Sequence, residues 1–313
     1  MTVHLPTIKQ LQYLVALRAH GHFGKAAEAC FVTQSTLSAG LRELENLLGI
    51  VLVERTRRVV RFTPLGVKIA EKALRVLRES EELTDMARAE GKPLHGELRM
   101  GVIPTIAPFL LPAMLPRLRK QWPNLKLFLR EETSQAACDA LHRGQLDCVL
   151  LAMPYACGDV DRASLFEDRL FVAFPEGEAP PGASIEPGAI DENRLLMLED
   201  GHCLKDHALS ACNRPEMRAE AAMMGTSLHT LVQMVDNGLG LTFLPSMAIE
   251  AGILEGTQVD TRPLQSDYAF RKVALVWRRS SPREEEFRLL SETLRQIAGE
   301  LIPSLEPVTA SPR

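Results

Sequence analysis

No apolar run in the 313-residue chain approaches the about 18–20 residues that a membrane-spanning helix needs, which disfavours an integral membrane protein. The N-terminal sequence MTVHLPTIKQ does not have the basic-then-apolar order of a secretory signal peptide. None of the six cysteines has C-x-x-C spacing, so a zinc site is unsupported. We therefore expect a cytoplasmic protein without metal, cofactor or membrane partner. In such a reducing compartment a framework of structural disulfides is also not expected.

The net charge of −4 is unevenly distributed along the chain. Residues 1–95 carry 14 Lys and Arg against 10 Asp and Glu, whereas the remainder carries 22 against 30. A basic N-terminal segment on an acidic body indicates that the N-terminal segment alone binds a polyanion, and the excess of positive charge in this segment is four.

The first 90 residues show the pattern of a helix-turn-helix followed by a hairpin and a long helix. Apolar spacing predicts helices over residues 5–19, 23–30 and 35–48, the last ended by Gly49. Two short helices joined by a tight turn form the helix-turn-helix outline. Alternating residues over 51–62 predict a β-hairpin with a basic tip, and Thr63-Pro64 opens a helix that runs to about residue 90.

Strands alternate with helices from Gly96 onward, which favours parallel α/β sheets. Two expectations here are specific. Prolines are expected to break the helix predicted over 105–119, and a short strand is expected over 170–174. The strand over 273–278 returns after a long insertion, which indicates two subdomains crossed twice by the chain.

Cys203 and Cys212 are the most informative pair of residues. His202 and Lys205 flank Cys203, and nearby cations favour the reactive thiolate. If residues 203–212 were helical, the two Cα atoms would be roughly 13 Å apart, whereas a disulfide tolerates at most about 7 Å. Pairing would then require refolding, which would make the segment a chemical switch. Two unrelated thiols are the alternative interpretation.

A set of N-terminal motifs resembles the LysR-type transcriptional regulators: Ala26-Ala-Glu-Ala29, Thr33-Gln-Ser-Thr-Leu-Ser38, Leu41-Arg-Glu-Leu-Glu45, Leu52-Val-Glu-Arg55 and Thr63-Pro-Leu-Gly66. The resemblance covers the whole chain and implies an α/β protein with three parts. These are a winged helix-turn-helix DNA-binding domain (1–62), a linker and dimerisation helix (63–95), and a two-subdomain effector domain (96–313) like the periplasmic binding proteins. Subdomain one would span about 96–168 and 273–305, and subdomain two about 169–272.

The resemblance implies binding to a double-stranded DNA operator by a homodimer joined through the linker helix, commonly assembled as a homotetramer. Short polar side chains at the start of a recognition helix can reach base edges in the major groove, while arginines on a wing can contact phosphates or the minor groove. The candidate DNA-binding residues are Thr33, Gln34, Ser35, Thr36, Ser38, Arg42, Arg57 and Arg58. For Arg57 and Arg58, a solvated surface charge run is the alternative.

The segment Gly201-His-Cys-Leu-Lys-Asp206, with a second cysteine nine positions after the first, is similar to the hydrogen-peroxide-sensing activators of this family. The resemblance implies that Cys203 is the peroxidatic thiolate and Cys212 the resolving thiol. Thr105 and His202 would bind peroxide and handle protons, and Arg271 would stabilise the thiolate. A glutaredoxin- or thioredoxin-like system would reset the disulfide. Lys205 and His207 depart from the pattern, because better-known members have Arg and Gln there.

Alternatives remain for each assignment. Thr105 could cap a helix, His202 could be a structural hydrogen-bond donor, and Arg271 could form a surface ion pair with Asp267 or Glu131. The remaining cysteines, Cys30, Cys138, Cys148 and Cys157, are expected to be inert. A second function is a LysR-type regulator whose effector is a small metabolite bound between the subdomains. A third, a thiol peroxidase, would have no use for a DNA-binding domain, so we do not expect an enzyme.

Overall fold

The structure is a computed structural model that describes residues 5–55, 60–89, 93–212, 224–301 and 306–307. The chain divides into two compact units, Met1–Gly91 and Lys92–Arg313. The boundaries of the three predicted parts and of the two predicted subdomains remain predictions. Among the described residues, no helix is both long and apolar enough to cross a membrane.

The smaller unit has the predicted helix-turn-helix and hairpin. Its elements in chain order are α1 (Ile8–His20), α2 (Phe23–Ala29), α3 (Gln34–Leu48), β1 (Val53–Arg55), β2 (Val60–Phe62) and α4 (Pro64–Ala89). Both α1 and α3 begin at a threonine cap, Thr7 and Thr33, whose hydroxyls accept a backbone N–H of the first turn. Gly49 ends α3 in the left-handed conformation, as predicted.

The core of the smaller unit is formed by side chains of all four of its helices, and α3 contributes one stripe to it. Leu37, Leu41 and Leu44 form the buried stripe of α3. Gly40 lies in the same stripe, and a Cβ atom built on it would be 2.8 Å from a ring carbon of Tyr13 on α1. The absence of a side chain at position 40 therefore lets the two helices approach closely.

Glu45 joins α3 to the hairpin. Its carboxylate accepts the backbone N–H groups of Leu52 (2.9 Å) and Val53 (3.1 Å). An ionised acceptor makes these hydrogen bonds stronger than neutral ones. The orientation of β1 and β2 is thus coupled to that of α3 within this unit.

The larger unit is built around a mixed sheet. Its strands are β3 (Gly96–Val102), β4 (Leu125–Glu131), β5 (Cys148–Met153), β6 (Val160–Phe174), β7 (Met197–Leu198), β8 (Met224–Gly225), β9 (Thr242–Pro245), β10 (Asp260–Pro263), β11 (Phe270–Arg278) and β12 (Glu306–Pro307). Its helices are α5 (Ala107–Gln121), α6 (Ser134–His142), α7 (Cys203–Ala211), α8 (Leu228–Asp236), α9 (Ser246–Glu250) and α10 (Glu284–Leu301).

The strand order is β10-β6-β11-β5-β3-β4, and the predicted parallel pairing is found in only part of the sheet. Strands β4 and β5 are parallel to β3, but β11 is antiparallel to both β5 and β6. The short strand predicted over 170–174 is the last third of the 15-residue β6. Its first part pairs with β11, and residues 170–174 pair with β9 and β10.

The prediction that prolines break the helix over 105–119 was wrong. Helix α5 runs continuously from Ala107 to Gln121 through Pro112 and Pro116. Both prolines are exposed, and their four-residue spacing places them on one face. The carbonyl groups that lose their intrahelical partners therefore lie near solvent, where water can hydrogen-bond them.

We expect Gly40→Ala to destabilise the smaller unit by about 1–3 kcal/mol, because the new methyl group would overlap the Tyr13 ring. Thermal unfolding of the full chain checks this. The matched control is Gly299→Ala in α10, where nothing lies within 4 Å of the added Cβ atom, and where helix propensity alone should stabilise by up to about 1 kcal/mol. Equal transitions for the two variants would contradict the close approach of α1 and α3.

Candidate functional site

The two cysteines of interest lie at opposite ends of one helix. Cys203 is the first residue of α7, and Cys212 is its C-cap. Both are buried and neither is bonded to another cysteine. Nine helical steps separate the two Cα atoms by roughly 13 Å, about twice what a disulfide permits. The helical geometry on which the switch hypothesis depends is therefore present.

Cys203 is held at the start of α7 by a neighbouring helix. Its backbone N–H donates to the hydroxyl of Ser134 (3.3 Å), the first residue of α6, and both residues are fully buried. Thr133 caps α6 through its own hydroxyl, which fixes where Ser134 lies. The structure thus supplies Cys203 with a hydrogen-bond partner on a separate helix.

Cys203 is not the ready thiolate that its flanking residues predicted. Burial raises the pKa of the Cys203 thiol, and the Arg271 charge, the Ser134 hydroxyl and the Ala152 backbone oppose that rise only in part. Of the two predicted cations, His202 is buried, which lowers its pKa and leaves it neutral. Lys205 pairs with Asp200 at 2.7 Å. Burial also raises the pKa of Cys212, to about 11.

Arg271 is the centre of a buried polar network. It lies on β11 directly opposite Asp168 on β6, and its Nε and Nη2 atoms donate to one carboxylate oxygen of Asp168 at 3.0 and 2.9 Å. The remaining donor, Nη1, reaches the Thr105 hydroxyl at 2.7 Å, and Nη2 also reaches the Thr105 carbonyl. The guanidinium is thereby fixed, and its charge acts on Cys203.

Asp168 ties this network to a further element. Its second carboxylate oxygen accepts the Ser246 hydroxyl and the Met247 N–H, each at 3.0 Å. Two alternative assignments are therefore wrong. Arg271 forms no surface pair with Asp267 or Glu131, because its partner is the buried Asp168. Thr105 does not cap α5, because its hydroxyl accepts from Arg271 and no side chain caps that helix.

Cys138 and Cys157 are joined in a disulfide, contrary to the expectation that no structural disulfide would form. Their Cα atoms are 5.4 Å apart although 19 positions separate them in the sequence. Helix α6 and the loop after β5 bring them together, which no local spacing could indicate. Cys148 is buried in β5, as predicted for a core residue. Cys30, at the end of α2, is an unbonded thiol.

His207 lies one helical turn after Cys203 and is also buried. Its Nε2 atom donates to the Pro154 carbonyl at 2.8 Å, which makes Nδ1 the unprotonated nitrogen, and Nδ1 is buried without a hydrogen-bond partner. Burial lowers the pKa of His207 to about 4, with a smaller contribution from the Arg271 charge. The imidazole is therefore neutral at physiological pH.

The polar residues predicted to meet DNA gather at the start of α3. Thr33, Gln34, Ser35 and Thr36 are exposed, Ser38 is half-buried, and Arg42 is exposed one turn farther along. The Thr33 hydroxyl is committed to the cap: it accepts the Thr36 N–H and also bonds the hydroxyls of Ser35 and Thr36. Arg42 Nε donates a hydrogen bond to the Ser38 carbonyl at 3.4 Å. Arg57 and Arg58 lie outside the described residues.

Sequence reasoning did not predict the role of Asp168 or the Cys138–Cys157 bond. Asp168 stands between Glu167 and Arg169 in β6, and such a charged run indicates a solvent-exposed segment rather than a buried carboxylate with a cationic partner. Within the parts of the chain that the structure describes, no group of three or more His, Cys, Asp or Glu side chains could hold a metal ion.

The depressed pKa of His207 predicts a dependence of stability on pH. In the unfolded chain His207 binds a proton below about pH 6.5, whereas in the folded chain its imidazole stays neutral until about pH 4. The contribution of the neutral His207 to the free energy of unfolding is therefore fully present above pH 6.5 and is lost as the pH drops toward 4. Between pH 7 and 5 the loss is about 2 kcal/mol.

His207→Gln keeps an N–H donor for Pro154 but cannot titrate. Its free energy of unfolding in urea should fall less than that of the parent chain over this pH interval. The same fall in both proteins would show that His207 is not the titrating group.

The chain matches two family models, "Bacterial regulatory helix-turn-helix protein, lysR family" over residues 8–67 and "LysR substrate binding domain" over residues 91–299. It is 39% identical over 297 residues to the HTH-type transcriptional regulator EstR of Acinetobacter baylyi, covering 95% of this chain and 99% of that protein. It is also 39% identical over 293 residues to a hydrogen peroxide-inducible genes activator of Dickeya chrysanthemi, covering 92% and 95%.

A solved structure of a full-length OxyR variant from Pseudomonas aeruginosa superimposes with a TM-score of 0.79 at 32% identity, covering 99% of this chain and 100% of that one. The predicted fold class, with a helix-turn-helix domain followed by a substrate-binding domain of the LysR type, is thereby confirmed. This chain belongs to the LysR family of bacterial transcriptional regulators and is similar to OxyR over nearly its whole length.

Proposed function

We propose that this chain is a DNA-binding regulator that senses hydrogen peroxide through Cys203 and responds by forming a disulfide with Cys212. The observation that carries the proposal is the placement of the two thiols at opposite ends of α7, with the Arg271 guanidinium acting on the first. The peroxide response of the Dickeya chrysanthemi relative, given by its name, supports the choice of oxidant.

The first step is nucleophilic attack on peroxide. Because burial keeps Cys203 largely protonated, its proton must be removed as peroxide binds. The neutral imidazole of the adjacent His202 can accept that proton and deliver it to the leaving oxygen. The Cys203 sulfur then forms a bond to one peroxide oxygen, the O–O bond breaks, and the second oxygen leaves as water.

Arg271 and Thr105 are suited to stabilise the charge that develops during this step. Arg271 is held by Asp168 on one side and by Thr105 on the other, so its guanidinium needs no reorganisation when negative charge forms on sulfur or oxygen. The Thr105 hydroxyl accepts from Arg271, and its own hydrogen can be donated to a peroxide oxygen.

The second step requires α7 to unwind. The Cys203 sulfenic acid condenses with the Cys212 thiol, forming the S–S bond and releasing a second water. A helix holds the two residues roughly 13 Å apart, so the disulfide and the intact α7 exclude each other. Oxidation thereby converts a chemical event into a change of structure, and a thioredoxin- or glutaredoxin-like dithiol would reverse it.

The output of the switch is DNA binding by an oligomer. The exposed polar residues at the start of α3, Gln34, Ser35 and Thr36, are suited to reach base edges, and Arg42 to reach a base or a phosphate. Leu65, Val76 and Leu83 of α4 are exposed, which supports a homodimer joined along this helix. A pair of such dimers would form the homotetramer.

EstR supports a second candidate function. This relative is named a transcriptional regulator with no mention of peroxide. The alternative is a regulator whose effector is a small metabolite bound between two subdomains, with Cys203 and Cys212 serving only as buried thiols.

Peptide mapping separates the two candidates. Trypsin cleaves after Lys205, so Cys203 and Cys212 fall into different peptides, 195–205 and 206–218. After micromolar peroxide, acid quenching and alkylation, mass spectrometry should detect these two peptides linked. Cys203→Ser should abolish the link, and Cys212→Ser should leave a long-lived sulfenic acid on Cys203 that a dimedone probe traps. Unlinked peptides in the fully oxidised parent chain would favour the metabolite-responsive alternative.

Arg42→Ala should weaken binding to the specific operator by about 1–3 kcal/mol if the guanidinium reads a base. Binding to a shuffled duplex of the same length should change much less, because nonspecific affinity depends on phosphate contacts. Fluorescence anisotropy titrations at two salt concentrations measure both affinities. An equal loss on the two duplexes, with a shallower salt dependence, would mean that Arg42 contacts only phosphate.

A further inference from the structure

The Cys138–Cys157 disulfide joins two segments that each contact the helix carrying Cys203. Cys157 belongs to the segment 154–158 that follows β5, here called the bracing loop. The loop is attached to α6 by three side-chain contacts. These are the disulfide to Cys138, a hydrogen bond from His142 Nε2 to the Cys157 carbonyl, and a hydrogen bond from the Tyr155 hydroxyl to Gln135. Helix α6 and the bracing loop therefore form one surface.

Helix α7 is docked on this surface through both of its components. From α6, Ser134 accepts the N–H of Cys203. From the bracing loop, the Pro154 carbonyl accepts His207 Nε2–H at 2.8 Å. Burial and, after it, the proximity of Cys203 and Asp206 raise the pKa of Tyr155 in the same loop. Unwinding of α7 must break contacts with α6 and with the loop.

We infer that Cys138 and Cys157 form a second redox site, which governs how readily α7 unwinds and hence how readily Cys203 and Cys212 pair. The inference rests on the proposed function. With the disulfide intact, the bracing loop stays attached to α6 and gains little conformational freedom when α7 leaves. With the disulfide reduced, the loop gains that freedom, which favours the unwound state. The bond therefore raises the peroxide exposure needed for the switch.

Both redox steps of this second site balance with reagents of known class. A dithiol reductant exchanges with the Cys138–Cys157 bond, leaving two protein thiols and a cyclic or protein disulfide of the reductant. In the reverse direction, one thiol is oxidised by hydrogen peroxide to a sulfenic acid with loss of water. The second thiol then displaces another water to form the S–S bond. Both cysteines are buried, so either step follows a local opening.

The first test compares switching rates in the full-length protein. Cys138→Ser/Cys157→Ser should form the linked 195–205 and 206–218 peptides about fivefold faster than the parent chain after the same peroxide dose, because the conformational freedom gained by the released loop favours the unwound state of α7. Cys30→Ser, which removes an unbonded thiol in the smaller unit, is the matched control and should switch at the parent rate. A double variant that switches at the parent rate or more slowly overturns the inference.

A second measurement requires neither switching nor a foldable double variant. In Cys212→Ser, where the Cys203–Cys212 bond cannot form, hydrogen exchange of the α7 amides is followed before and after treatment with dithiothreitol. We expect severalfold faster exchange over residues 203–211 after reduction. Unchanged exchange overturns the inference.

The failure of the inference and that of the proposed function are distinguishable. If the parent chain never links Cys203 to Cys212, the proposed function fails, while hydrogen exchange still reports on the bracing loop. If the tryptic peptides 131–143 and 144–162 are never linked through Cys138 and Cys157, before or after peroxide, the inference fails alone.

Discussion

The fully buried Asp168–Arg271 ion pair is the interaction on which the geometry of the redox site depends. Removing two charges from water costs several kcal/mol per ion, and only close pairing with further hydrogen bonds offsets that cost. Here the offset comes from Thr105, which accepts from Arg271, and from Ser246 and Met247, which donate to Asp168. Because every group needs its partners, β6, β11, the start of α5 and the start of α9 are held in one arrangement.

Under the proposed function, this arrangement is what would make the buried Cys203 thiol reactive. Burial raises the pKa of both Cys203 and Cys148. The two thiols differ in their neighbours, because the Ser134 hydroxyl and the Ala152 backbone, together with the Arg271 charge, favour the thiolate of Cys203, whereas the Asp147 charge adds to the effect of burial at Cys148. In the proposed sensor, these fixed donors would stabilise the thiolate during reaction, while the raised pKa keeps the resting thiol protonated.

The sequence predicted those features that local pattern determines. The amphipathic stripe of Leu37, Leu41 and Leu44 and the terminating Gly49 define α3, and the spacing of Cys203 and Cys212 defines their separation along α7. Features that depend on distant segments were not predictable. Asp168 and Arg271 are 103 positions apart, and Ser134 and Cys203 are 69 apart. The prediction that His202 and Lys205 favour a Cys203 thiolate failed for the same reason. The burial of His202 and the pairing of Lys205 with Asp200 are decided by tertiary structure.

His207 connects the two cysteine pairs and shows why they are better considered together. A glutamine at this position could donate one hydrogen bond and accept another, but a neutral imidazole donates from Nε2 and leaves Nδ1 as a buried acceptor without a partner. An unsatisfied buried acceptor destabilises the docked helix by about 1–3 kcal/mol. Helix α7 is therefore less firmly docked than its burial suggests. The Cys138–Cys157 disulfide offsets this weaker docking, because it fixes the bracing loop, which supplies the Pro154 carbonyl to His207.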